Sequence, residues 1–234
     1  MQRRALIINR NHLWLALHRP VHFVILTIIH FHFEIESTSS TIVGLSTRNI
    51  AQELRQYLGK STAPNKMQSV FEFLHKQKFI NLNSNPGKKN QFTLLNEKQL
   101  RDFKTKTILT RGKFKRKDDN YLIRKFIFLP RSIFNQNLSV NELVILLLIA
   151  FSTPYQNNHI CNLNFSTLKH LIKVSDEYNR SWSLLSFNTK NISSSCHELQ
   201  KKGLIDIIGS GNSKKLALCN PLIFSDLRKA VKCK

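Results

Sequence analysis

STAPNKMQSVFEFLHKQKFINLNSNPGKKNQFTLL, residues Ser61 to Leu95, is the stretch on which the reading of the fold turns. Pro64 stands where the first turn of a helix has no N–H to lose. Met67, Val70, Phe71 and Leu74 recur at the three- and four-residue spacing that gathers them on one helix face. Asn65, Lys66, Gln68, Ser69 and Glu72 are left pointing outward. Beyond the helix, Phe79-Ile80-Asn81-Leu82 and Gln91-Phe92-Thr93-Leu94 have the character of short strands. Between them, Asn85-Pro86-Gly87-Lys88-Lys89 supplies turn chemistry at a basic hairpin tip. The order is helix, strand, basic hairpin, strand.

Upstream, the apolar set Ile50, Ala51, Leu54 and Leu58 predicts a one-sided helix over Arg48 to Leu58, with Ser46 or Thr47 as its cap. Gly59 ends it, and Lys60-Ser61-Thr62 makes the turn into the next helix. Thr41-Ile42-Val43 is a short β-branched strand. Val21 to Phe33, VHFVILTIIHFHF, predicts a buried helix starting near Pro20. It is shorter than the roughly 20 apolar residues a membrane span needs. A peripheral membrane anchor built on the basic, apolar N-terminus is the competing reading of that region.

The second half repeats the plan. A strand is expected over Lys125 to Leu129, then a buried helix Val140 to Phe151, with Ser139 and Glu142 as a capping box. Ile160-Cys161 forms a strand, and Asn164 caps a helix whose inward residues are Leu168, Leu171 and Ile172. A helix Phe187 to Lys202 follows, with Ile192, Cys196 and Leu199 inward and Lys190, Asn191, Ser193, Ser194 and His197 outward. Gly203 ends it. Strands Leu204 to Ile207 and Leu216 to Leu218 then flank a turn that closes on Lys214 and Lys215. Residue 143 aligns with residue 23 at an offset of 120, and residues 199, 204 and 205 align with 74, 79 and 80 at an offset of 125. Coincident apolar periods alone would not also reproduce both basic hairpins.

This order is that of the winged helix-turn-helix, and the expected fold is α+β, mainly helical, with two such units in tandem. The expected organisation is a basic N-terminal segment (1–19), a first unit (20–100), a basic linker (101–122), a second unit (123–224) and a basic tail (225–234). From Lys98 to Arg131 the chain holds 12 Lys or Arg against three Asp, which marks the linker and a possible phosphate-tracking arm.

LSTRNIAQEL with FLHKQKFI in the first half, and LSVNELVILLLIA with ISSSCHELQKKGLIDI in the second, resemble the winged-helix regions of phage and plasmid replication initiators. The resemblance covers roughly residues 20–95 and 125–220. It implies a sequence-specific double-stranded DNA-binding protein that binds origin repeats and recruits host replication proteins. A winged-helix transcriptional regulator is the alternative. A homodimer is a further possible assembly, and a cytoplasmic location without stable membrane insertion is expected.

Charge points the same way. Thirty-six Lys and Arg against 14 acids give a net charge of +22, which suits a polyanionic partner. In a winged helix the third helix offers short polar side chains to base edges, and lysines on the wing reach phosphates. The DNA-binding candidates are therefore Lys60, Thr62, Asn65, Lys66, Gln68 and Ser69, with Lys88 and Lys89 on the first wing. In the second unit they are Lys190, Asn191, Ser193 and Ser194, with Lys214 and Lys215 on the wing. Asn65, Gln68 and Asn191 are the strongest base readers, since an amide can pair twice with adenine.

Enzyme chemistry is not expected. There is no Gly-rich phosphate loop with its lysine, no carboxylate set joined to a histidine, and no zinc-type cysteine spacing, so neither a cofactor nor a metal is assigned. His30-x-His32 lies on an apolar helix and reads as packed rather than ligating. The four cysteines lack short paired spacing, as in a reducing compartment.

Overall fold

The structure, a computed structural model, describes residues 5–32, 42–58, 64–84, 89–94, 122–154, 160–169, 171–172, 192–209, 214–220 and 224. The expected linker and C-terminal tail lie outside these residues, Leu122 excepted.

The fold is α+β. The first half runs β1 (Ala5–Asn9), α1 (Arg10–His18), α2 (Pro20–His32), β2 (Ile42–Leu45), α3 (Thr47–Leu58), α4 (Pro64–Lys76), β3 (Ile80–Asn83) and β4 (Asn90–Leu94). The second half runs β5 (Phe126–Pro130), a 3-10 turn (Arg131–Gln136), α5 (Val140–Ser152) and β6 (Ile160–Asn164). Helical residues 165–169 and 171–172 follow, then α6 (Ile192–Lys201), β7 (Ile205–Ile208) and β8 (Lys215–Leu218).

Among the described residues each half carries one three-stranded antiparallel sheet, ordered β2-β4-β3 and β6-β8-β7. In each, the last strand of the half lies between the other two. The first helix of each sheet unit is buried: every residue of α2 from Pro20 to Phe31, and all of α5 except Asn141. That burial uses up the apolar surface of α2, so the segment weighed as a lipid anchor is core. Among the described residues no helix is long and apolar enough to cross a membrane.

The local chemistry accounts for the boundaries. The Asn49 N–H donates to Ser46 Oγ at 3.1 Å, making Ser46 the cap of α3. Ser139 and Glu142 form the capping box of α5: the Glu142 N–H donates to Ser139 Oγ and the Ser139 N–H donates to Glu142 Oε2, each at 3.2 Å. The Thr167 N–H donates to Asn164 Oδ1 at 2.8 Å. Helices α4 and α6 end in the same left-handed turn, at Lys78 (φ 58°) and Gly203 (φ 67°). The Lys78 and Phe79 amides donate back to His75 O and Leu74 O, both at 2.9 Å. The Gly203 and Leu204 amides donate to Gln200 O at 2.9 Å and Leu199 O at 3.0 Å. This is the paired-bond helix ending that favours glycine, and it recurs at the offset of 125 seen in the sequence.

The N-terminus differs from its reading as a basic segment apart from the first unit. Leu6, Ile8, Leu13, Leu15 and Leu17 are buried, so Ala5 to His18 belong to the core. β1 pairs antiparallel with β5, in the register Ala5↔Pro130, Ile7↔Phe128, Asn9↔Phe126. The expected strand Lys125 to Leu129 is displaced by one residue. The helix expected from Phe187 is described only from Ile192, and its first part lies outside the described residues.

β1 and β5 occupy equivalent places, each five residues long and each followed by an arginine that opens a helical turn, Arg10 or Arg131. With Ile7 set against Phe128 as counterparts, the register is centred on a pair of equivalent residues. An antiparallel pair so centred has a local twofold axis. The contacts around it are reciprocal: α1 packs on α5, and the 3-10 turn packs on α2 through Phe134 and Phe31, with ring centroids 5.7 Å apart. Arg10 bonds to the Leu122 and Arg124 carbonyls, while Arg131 lies over the Phe31 ring and bonds to Tyr57. The buried residues of both halves form one continuous core.

Candidate nucleic-acid interface

Helix α4 presents two faces, as its sequence spacing requires. Met67, Val70, Phe71 and Leu74 are buried, with Phe71 packed edge-on against Phe92 of β4 at 5.1 Å. Lys66, Ser69, Glu72, His75 and Lys76 are exposed on the other face, and Gln68 is half-buried. Asn65 lies in the helix, but its side chain is outside the description, as are Lys60, Thr62 and Lys88. Lys89 is exposed just ahead of β4, and its Cβ is 3.9 Å from where a side chain on Gly44 of β2 would begin.

The polar groups on this face are partly engaged with one another. Ser69 Oγ donates to Lys66 O at 2.8 Å, which leaves the hydroxyl oxygen as an acceptor. Gln68 Nε2 lies 3.4 Å from Glu72 Oε1, a long contact along the helix. Glu72, absent from the expected site residues, is exposed on the same face. A carboxylate at such a place repels an anion and can accept from an N–H donor. Its signal was its place four residues after Gln68.

In the second unit, Ile192, Ser195, Cys196 and Leu199 turn inward on α6, while Ser193, Ser194, His197, Gln200 and Lys201 are exposed. Lys190 and Asn191 lie outside the described residues. Lys201 is paired with Glu198 at 2.7 Å. Lys215 is exposed, but Lys214 is half-buried, with its ammonium 6.0 Å from the centre of the Phe165 ring. Lys214 is thus held against its own unit, and of the two hairpin lysines Lys215 is the one open to a phosphate.

The two polar faces carry different chemistry. α4 offers two lysines, an amide, a hydroxyl, an imidazole and a carboxylate, whereas α6 offers two hydroxyls, an imidazole, an amide and one lysine that is paired with Glu198.

Elsewhere, titratable groups are structural. His12 and His18 of α1 and His22 of α2 are buried, which holds His12 and His18 at about 4 and His22 at about 3. Desolvation is the main cause, and the Arg19 charge adds to it for His18 and His22. His30 is buried and His32 contacts Glu53. Burial pushes the Cys161 and Cys196 thiols up to about 11 and about 12, far from a reactive thiolate. Among the described residues no group of three or more His, Cys, Asp or Glu could hold a metal ion.

No protein-family model, curated protein or solved structure matches the chain.

Proposed function

We propose that each half is a winged helix-turn-helix and that the chain is a sequence-specific double-stranded DNA-binding protein, acting as a replication initiator on repeats at an origin. The observation that carries this is the repeated unit: helix, strand, helix, helix, then a hairpin whose last strand lies centrally in the sheet. In each unit the helix that leads directly into the hairpin turns a polar, exposed face outward. With a net charge of +22, that face suits a duplex, since phosphate contacts supply most of the affinity and side chains on a groove-bound helix supply the base choice. α4 and α6 are the base-reading helices in this proposal, with Lys66, Gln68 and Ser69 on one and Ser193 and Ser194 on the other. Lys89 and Lys215 contact phosphates.

The choice of replication over transcription rests on the fusion of two unlike units into one core, which suits a protein that occupies an extended asymmetric repeat. Fragments of the source replicon retained by the purified chain, sequenced in bulk, test it. Enrichment of a repeated motif at one locus supports the initiator. Scattered sites upstream of genes support a transcriptional regulator instead, and no enrichment over input rejects sequence-specific binding.

A further inference from the structure

We infer that His75 is a positioning residue that ties the first hairpin to helix α4, so that helix face and hairpin meet a duplex as one piece; this rests on the DNA-binding reading above. Among the described residues β3 is an edge strand of its sheet, and the backbone groups on its outer side have no strand partner. Residues two apart in a strand turn a C=O and an N–H to the same side. On β3 these groups are the Ile80 carbonyl and the Leu82 amide, and one imidazole nitrogen meets both. His75 Nδ1 lies 3.3 Å from Ile80 O and 3.2 Å from Leu82 N.

The chemistry of that nitrogen allows one bond at a time. Carrying a lone pair, it accepts from the Leu82 N–H; carrying a hydrogen, it donates to the Ile80 carbonyl. The tie is the first of these: the Leu82 N–H of the hairpin edge donates to a lone-pair nitrogen on the last turn of α4. The tight turn at Lys78, bonded back to His75 O and Leu74 O, keeps the ring beside the strand. The matching position of the second unit, at the offset of 125, is Gln200, whose amide carries both an acceptor and a donor. His75 also lies on the same exposed helix surface as Lys66, Ser69 and Glu72, so a shift of the helix in a groove is passed to the hairpin base.

Two substitutions in the full chain, His75→Leu and His75→Asn, test this. Asparagine keeps an acceptor at the δ position and leucine does not. In His75→Leu, hydrogen exchange at the Leu82 amide of the free protein should quicken about tenfold, the effect of losing roughly one net hydrogen bond. Affinity for the selected duplex should fall by a similar factor, with the salt slope reduced by about one phosphate contact. His75→Asn should restore all three readouts. Unchanged Leu82 exchange in His75→Leu, or a His75→Asn variant as impaired as leucine, overturns the tie. Faster exchange with affinity and slope unaltered overturns its role on DNA. If the unsubstituted chain retains no duplex, the proposed function fails instead, and Leu82 exchange alone decides whether His75 holds the hairpin.

Discussion

Acid should unfold this protein well above the pH at which its carboxylates titrate, because three histidines are folded in the neutral form. His12, His18 and His22 sit near 4, 4 and 3 in the folded chain, against 6.5 when solvated. A histidine whose folded value is depressed binds its proton in the unfolded state first. Its contribution is therefore complete above pH 6.5, declines as pH falls, and stops changing only below the folded value. Each group loses about 1.4 kcal/mol per pH unit in that window. At pH 5 that is about 2 kcal/mol each and on the order of 6 kcal/mol together, comparable with the whole stability of a typical domain. Urea unfolding at pH 7.5, 6.5, 5.5 and 5.0, followed by circular dichroism, measures it. The midpoint should drop steeply between pH 6.5 and 5 in wild type. His22→Phe, which replaces a ring packed edge-on against Phe73 at 5.0 Å, should flatten the slope by about one proton. A stability that stays level from pH 7 to 5 would refute the idea that these rings are buried neutral.

Lys78 adopts a left-handed conformation that costs a side chain roughly 1 kcal/mol, so Lys78→Gly should raise stability by about 0.5–1 kcal/mol in denaturant melts. Gly203→Ala, at the equivalent turn, should lower it by a similar amount. Glu142 accepts from the Ser139 amide and pairs with Lys202 at 2.6 Å while only a tenth exposed, so Glu142→Ala should cost about 2–3 kcal/mol. On DNA, Lys89→Ala with Lys215→Ala should weaken binding to every duplex about equally and reduce the log–log salt slope by about 2. Gln68→Ala should change base preference at one position instead, which a binding-site selection would show.

The repeat was legible because periodicity survives without contact information. Met67, Val70, Phe71 and Leu74 announce a helix face on their own, and Leu199, Leu204 and Ile205 echo the first unit at a fixed offset. Caps were legible for the same reason: Ser46, Ser139 and Asn164 each act on the amide three residues away. What sequence missed is non-local. Ala5 to Asn9 lie beside arginines and read as a basic lead-in, yet they become a strand because Phe126 to Pro130 supply the partner edge from the far half of the chain. Lys214 looks like a free hairpin lysine until Phe165 is brought under it. His75 gives no local sign of its role, since Ile80 and Leu82 come within reach only after the turn at Lys78 reverses the chain. The helix faces of the candidate site could therefore be read from the sequence, while the links that orient them could not.

Those links bear on how two units act together. Had a chain segment alone joined the halves, each would meet DNA separately, and the second binding event would gain only an effective concentration set by the connection. The β1–β5 ribbon and the reciprocal packing of α1 on α5 and the 3-10 turn on α2 join them through one core instead. Arg10 and Arg131, counterparts in the repeat, each reach a group of the opposite half. Because the ribbon is centred on the equivalent residues Ile7 and Phe128, the local axis relates its two strands and the contacts beside them by rotation rather than by simple translation. In the DNA-binding reading, the two base-reading helices therefore approach a duplex as a pseudo-symmetric pair with their separation fixed before binding. Their side chains break that symmetry: Lys66, Gln68 and Glu72 have Asn191, Ser193 and His197 as counterparts at the offset of 125. A dyad in the backbone with unlike readers on its two arms favours a site of inverted geometry and unequal sequence, bound in one orientation. In the proposed initiator role, that orientation would give the bound protein a direction, which two identical halves could not supply.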